Sequence, residues 1–189
     1  MQLTSARELL TYKDYCEIPE DGNRYEVIDG SLYMAPAPLF KHQQISGALY
    51  LRLAVFVEDT ESGFVLYAPL DVVLSEHHVV QPDILFISSD RATIITDANV
   101  QGAPDLIVEI LSKTNRRHDE IVKRKLYEKF GVQEYWIVDP ELETVKIYQF
   151  DDEVYGTPVL LSHEKGDTVT STLLPGLQLN LREIFNPTK

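Results

Sequence analysis

The sequence predicts an α/β protein, bordering on α+β, with a central mixed β-sheet flanked by helices. Three observations carry that expectation. Residues 103–112, Ala-Pro-Asp-Leu-Ile-Val-Glu-Ile-Leu-Ser, form a short run of branched apolar side chains bounded by Pro104 and interrupted only by Glu109. Such a run reads as a strand covered on both faces. A helical pattern over 116–130 closes at Gly131, and Glu134-Tyr135-Trp136-Ile137-Val138 follows as a second strand ending at Asp139-Pro140. Strand, helix and strand in that order make a unit that belongs at the centre of a sheet.

The other elements extend this centre. Thr4 or Ser5 can cap a short helix running to about Tyr15 and ending before Pro19. Tyr25-Glu26-Val27-Ile28 and Leu32-Tyr33-Met34 flank Asp29-Gly30, a strong hairpin signal. Over 40–58 the apolar residues Ile45, Leu49, Leu53 and Phe56 make one helical stripe, with His42 a turn earlier on the same side. Strands are expected over 64–68 and 71–74, separated by Pro69. A polar turn at 76–78 leads to a third at Pro82-Asp83-Ile84-Leu85-Phe86-Ile87, and 88–102 reads as loop with a helical turn. Strands near 145–150, 158–162 and 177–181 suggest a C-terminal β-meander over about 141–181, and 181–185 a last helical turn.

The 189 residues hold no internal repeat and no linker, so one domain, 1–189, is expected. Hydrophobic content of 44% and charged content of 25% are ordinary for a globular chain. No apolar run approaches the roughly 18 residues of a membrane span, so no membrane partner is expected. The opening Met-Gln-Leu-Thr-Ser lacks the basic-then-apolar order of a signal peptide, and a cytoplasmic location is expected. Cys16 stands alone, which excludes an intramolecular disulfide. The net charge of −13 argues against a general electrostatic grip on nucleic acid. It leaves room for a carboxylate cluster that a divalent cation offsets.

The chemistry centres on Glu109. An ionised carboxylate inside a buried strand is costly unless a cation, a metal or several hydrogen bonds meet it. At about 100° per residue along 116–130, Asp119, Val122, Lys123, Leu126, Tyr127 and Phe130 share one arc, while Arg124, Lys125, Glu128 and Lys129 fall outside it. Ile121 is apolar on the polar side. Asp119 and Lys123 are thus charges on the stripe that should face the core. The bland reading is an i,i+4 surface pair worth only a few tenths of a kcal/mol. The helix must, however, pack back on the sheet that carries Glu109. Asp83, at a strand entrance, can stand beside Glu109 on a neighbouring strand, although an Asp after Pro is commonly a turn residue. The rival Asp105 lies about 13 Å from Glu109 along one strand, too far to share a metal. Two carboxylates on adjacent strands with a lysine nearby meet the needs of metal-assisted phosphodiester hydrolysis, with Mg²⁺ (or Mn²⁺) as the hard cation.

The motifs Tyr25-Glu26-Val27-Ile28-Asp29-Gly30, His42, Gln81-Pro82-Asp83, residues 103–112, Asp119, Lys123, Tyr127 and Glu134-Tyr135-Trp136-Ile137-Val138-Asp139-Pro140 resemble the Uma-two family of restriction endonuclease-like proteins, within the PD-(D/E)XK nuclease-like group. The resemblance covers nearly the whole chain and is weakest beyond about Phe150. It implies a restriction-endonuclease-like core. Carried over position by position, Asp83 takes the first acid and Glu109 the second, both as metal ligands. The motif's lysine should stand two residues later, where this chain has Leu111. The resemblance suggests a migrated lysine on the next helix, which is Lys123. It also implies Glu26 as an additional acid and His42 at the edge of the site. Residue by residue, Glu26 reads equally as a solvated hairpin position, His42 as a core histidine, and Tyr127 as packing with its hydroxyl on a site carboxylate. Asp71 is a weaker candidate.

No spaced His or Cys set suits zinc, and no Walker loop, dinucleotide fingerprint or nucleophile elbow occurs. The leading expectation is therefore a divalent-metal-dependent endonuclease acting on DNA. Its only dense basic run is Lys113, Arg116, Arg117, Lys123, Arg124 and Lys125. The alternative is a catalytically silent nuclease-fold interaction module, homodimeric through edge strands such as 145–150.

Overall fold

The computed structural model describes residues 9–35 and 37–186. Thr4 and Ser5, the expected caps, lie outside the described residues. Helix α1 (Tyr12–Cys16) is capped by Thr11, whose hydroxyl accepts from the Asp14 amide while Asp14 Oδ2 accepts from the Thr11 amide at 2.8 Å. That reciprocal pair satisfies orphan donors of the first turn. Strands β1 (Arg24–Ile28) and β2 (Ser31–Ala35) form the expected hairpin, with Asp29 and Gly30 at φ 48° and 67°. A tight hairpin whose twist matches its strands requires positive φ at both turn positions.

Helix α2 (Phe40–Thr60) buries Ile45, Leu49, Leu53 and Val57. Steps of four carry the buried stripe to Val57, leaving Phe56 half-buried at its margin. Next come β3 (Gly63–Tyr67), β4 (Val72–Ser75), β5 (His78–Val80), β6 (Ile84–Ser88), β7 (Val100–Gln101) and β8 (Leu106–Ile110). The sequence reading missed β5 and β7, which fall in the supposed turn and loop. With three and two residues they are too short to show alternation, and pairing with neighbours makes them strands. Within that loop a 3₁₀ helix, Ser89–Ile94, supplies the helical turn.

The connection from β8 to β9 (Glu134–Asp139) begins with a π-helical stretch, His118–Lys123, and continues as α3 (Arg124–Lys129). The sequence predicts a uniform α-helix here. The widened turn carries the two buried charges, Asp119 and Lys123, and such turns recur at functional sites. Ile121, the misplaced apolar residue of the helical arc, is exposed.

The main sheet has the order β11-β10-β9-β8-β6-β3, where β10 is Thr144–Asp151 and β11 is Val154–Tyr155; β12 (Val159–Ser162) also pairs with β10. Only β8 and β9 run parallel, as their helical crossover requires; the other neighbours are antiparallel. The sheet is covered on both sides. On one face α2 and the C-terminal segment meet Leu106, Val108, Ile110 and Trp136. On the other, Ile107, Leu111, Leu85 and Tyr135 meet the crossover helix and a second sheet of order β2-β1-β5-β4-β7. Glu109 interrupts this second face.

The last strands do not form one meander. β10 and β12 extend the main sheet, while β13 (Thr168–Val169) and β14 (Leu179–Asn180) pair with each other before α4 (Leu181–Phe185). An apolar pattern marks a strand without naming its partner. For the same reason 145–150 is not a free edge: β9 lies on one side and β11 and β12 on the other. Among the described residues no helix is long and apolar enough to cross a membrane.

Candidate active site

Ile84 pairs with Val108 in the antiparallel ladder of β6 and β8, so Asp83 stands opposite Glu109 at the same end of the sheet. Opposed residues of an antiparallel pair point to one face. The crossover helix brings Lys123 over Glu109, and its ammonium donates to Glu109 Oε1 at 2.9 Å and to Glu26 Oε1 at 2.8 Å. Asp119 Oδ1 is 3.9 Å from the same nitrogen. The Tyr127 hydroxyl donates to Glu109 Oε1 at 2.7 Å, so one carboxylate oxygen is fixed by two donors from one helix. Glu26 arrives from the second sheet and is held by the Gln81 backbone N–H at 2.9 Å. Asp83 Oδ2 accepts from the Ile110 amide at 2.8 Å and lies 3.1 Å from His42 Nε2 on α2.

Glu26, His42, Asp83, Glu109, Asp119 and Lys123 line a cleft of about 360 Å³ whose walls also include Arg24, Ala35, Leu39, Lys113 and Asn115. Among the described residues, Glu26 Oε2, Asp83 Oδ1 and Glu109 Oε2 accept no hydrogen bond. No three His, Cys, Asp or Glu side chains among them are already grouped as a metal cage. A Mg²⁺ site does not need one, because one or two carboxylates suffice when waters and substrate phosphate complete the octahedron.

The electrostatics show an excess of negative charge. Burial pushes the Glu109 carboxyl well above its ordinary range, Lys123 opposes the shift, and Asp119, Asp83 and Glu26 reinforce it. Burial likewise pushes Asp119 up to about 7. For Lys123 burial disfavours the charge, but Glu109, Glu26 and Asp119 together outweigh it and hold the proton well above the usual range. Lys123 therefore remains an ammonium, and the strain of unmatched charge falls on the carboxyls. The one ammonium of Lys123 lies within 4 Å of Glu26, Glu109 and Asp119, while Asp83 faces His42 instead. Burial and the Glu109 charge also raise the Tyr127 phenol, which stays a donor.

Asp105 and Asp71 lie outside this cluster. Asp105 accepts from Arg91 Nη1 at 2.7 Å and from the Ser88 amide at 2.8 Å. Asp71 accepts from Tyr15 and Gln81 at 2.7 and 2.8 Å. The sequence reading gave Gln81 no role, yet its backbone positions Glu26 and its amide reaches Asp71. The available signal is its spacing of two from Asp83 on an extended segment. The His118 ring packs on Tyr33 with centroids 4.6 Å apart. The basic run is largely self-neutralised: Arg116 pairs with Asp139, Lys113 with Glu141 and Arg124 with Glu128.

A mixed sheet whose central strands present acids to a lysine from the crossover helix defines a restriction-endonuclease-like α/β protein. The family model Uma2, described as "Putative restriction endonuclease", matches residues 12–182, and the chain belongs to that family. It is also similar in fold to a solved structure described as a putative nuclease belonging to DUF820 from Anabaena variabilis. The TM-score is 0.79 at 22% identity, over 93% of this chain and 97% of that one. No curated protein matches the chain.

Proposed function

We propose that the chain is a divalent-metal-dependent endonuclease that hydrolyses phosphodiester bonds of DNA. The observation that carries this reading is the Lys123 ammonium held between Glu26 and Glu109 in a cleft with more buried acid than base. Family membership supports the nuclease class. The all-oxygen donor set of Asp83 and Glu109, each with an oxygen free of hydrogen bonds among the described residues, fits Mg²⁺ or Mn²⁺. When bound there, such an ion would polarise the phosphate and lower the pKa of water.

The chain's own residues do the rest. Lys123, a donor only, orients the attacking water and meets charge developing on phosphate oxygen. Glu26 and Tyr127 keep Lys123 and Glu109 in place, His42 does the same for Asp83, and the buried walls limit water. Hydrolysis joins the water oxygen to phosphorus and breaks one P–O ester bond. The protons end on the released hydroxyl and in solvent.

Lys123→Ala is expected to lower DNA cleavage by about 10²–10³-fold, the scale for loss of one oriented donor at developing charge. Cleavage at the wild-type rate by that variant would remove Lys123 from the mechanism. A second reading, a silent interaction module, draws on the ammonium already filling the space between the two glutamates; it requires wild-type protein that neither binds Mg²⁺ nor cuts. The homodimer expected from sequence cannot use 145–150 as its seam, because β10 has partners on both sides.

A further inference from the structure

The segment Gln81-Pro82-Asp83 links β5 of the second sheet to β6 of the main one and brings Asp83 to the cleft. Its first residue also holds Glu26. The Gln81 backbone N–H donates to Glu26 Oε1 at 2.9 Å, the same oxygen that accepts from Lys123 at 2.8 Å. The placing of that ammonium therefore depends on where the Gln81 backbone sits. No ladder fixes it, because β5 ends at Val80 and β6 begins at Ile84. The Gln81 side chain supplies the anchor instead. Its Nε2 donates to Asp71 Oδ1 at 2.8 Å and to the Tyr15 hydroxyl oxygen at 3.2 Å. That hydroxyl donates to the same Asp71 oxygen at 2.7 Å, which closes a ring of hydrogen bonds.

The plainest role for such a ring is to seat α1 on the second sheet. The other tyrosine of that helix already does so: the Tyr12 amide donates to the Glu76 carbonyl at 2.6 Å, and Asn99 Nδ2 donates to the Tyr12 hydroxyl at 2.7 Å. Gln81 is also a costly residue for packing alone, since its Oε1 is buried with no hydrogen-bond partner among the described residues. An apolar side chain would avoid leaving an acceptor unpaired. What the amide contributes is its NH₂, and that group is committed to Asp71 and Tyr15. Burial and the Asp71 carboxylate raise the Tyr15 phenol, so it stays a donor.

We infer that Asp71 and Tyr15 are positioning residues, which through Gln81 fix the Glu26 carboxylate and with it the Lys123 ammonium at the cleft. For its effect on cleavage the inference rests on the nuclease reading; for the placing of Lys123 it does not. Asp71→Ala is expected to lower kcat for DNA cleavage about tenfold with KM unchanged, the scale of a displaced supporting shell. Asp71→Asn keeps an oxygen for both donors and should restore the wild-type rate. In a Glu26→Ala background, Asp71→Ala should cost nothing further, because its route to Lys123 is already cut. Independently of turnover, lysine acetylation of the full chain by acetic anhydride is read by mass spectrometry. Lys123, only 5% exposed, is expected to be protected in wild type and in Asp71→Asn, and to lose protection in Asp71→Ala at an unchanged urea midpoint. If Asp71→Ala lowers that midpoint, Tyr15→Phe is read in its place, since it removes less of the ring and leaves the Tyr12 seat intact. Protection of Lys123 as in wild type overturns the relay. So does a kcat loss that is equal with and without Glu26, or an Asn variant as impaired as the Ala variant. Wild-type protein that cuts DNA regardless of Lys123→Ala, or not at all, sinks the nuclease reading instead, and the labelling still decides the relay.

Discussion

At the scale of single residues, buried charge divides into two kinds. Glu134 is fully buried, yet it is surrounded by donors: Trp136 Nε1 at 2.9 Å, Ser171 Oγ at 2.9 Å, and the Thr172 amide and hydroxyl at 2.8 and 2.7 Å. Its acceptor capacity is spent on tying the C-terminal segment to β9. Glu109 has Lys123 and Tyr127 on one oxygen and the cleft before the other. Glu134→Gln turns an NH₂ toward those donors. It is expected to lower the unfolding free energy by about 2 kcal/mol in urea titration while DNA cleavage by the folded fraction stays unchanged. A variant as stable as wild type would show that the donors find other partners.

At the scale of elements, the crossover helix is anchored at its start by Arg116. Its guanidinium donates to Asp139 at the end of β9 at 2.5 and 3.1 Å, and Asp139 also accepts from the Glu141 and Leu142 amides. Burial alone would raise the Asp139 pKa, but the Arg116 and backbone hydrogen bonds outweigh it and hold the carboxyl below its ordinary 3.8. A carboxyl whose pKa is depressed on folding contributes its full stability above the unfolded value and loses it as pH falls through the folded one. Arg116→Ala is therefore expected to cost about 2 kcal/mol near neutrality and less at a pH well below 3.8. Parallel losses at both pH values in chemical denaturation would mean that Arg116 acts through packing of its stem. The element also shows where local reasoning was legible. The arc shared by Asp119, Lys123 and Tyr127 was visible at helical spacing, whereas the π-helical stretch was not, because no residue type marks a widened turn.

At the scale of the whole molecule, two sheets and the crossover helix meet at one cleft, and the acids that repel one another there belong to different elements: Glu26 to β1, Asp83 before β6, Glu109 to β8 and Asp119 to the helix. Folding gathers this charge, so a cation that binds the gathered acids favours the folded chain. Mg²⁺ at about a hundredfold over its dissociation constant is expected to add about 2.7 kcal/mol to stability. That raises the melting temperature by roughly 5–10 °C for a chain of this size. Asp83→Asn and Glu109→Gln should each abolish the increment. A wild-type melting temperature indifferent to Mg²⁺ would count against the metal-dependent reading.

The sequence by itself determined the longer elements, because their periodicity needs no partner: the hairpin at Asp29-Gly30, the stripe of α2, and the β8–helix–β9 unit. It also exposed Glu109 and Lys123 as charges in apolar surroundings, where a carboxylate or ammonium must be answered. The tertiary structure decided how they are answered. The register of β6 with β8 sets Asp83 opposite Glu109, as its strand entrance had suggested. Glu26, by contrast, joins Glu109 on the Lys123 ammonium, and Gln81 holds Glu26, through the docking of the second sheet, which leaves no mark in local spacing. The same holds for the short strands β5 and β7 and for the destination of β14, since pairing is a property of two segments and hydrophobic pattern a property of one.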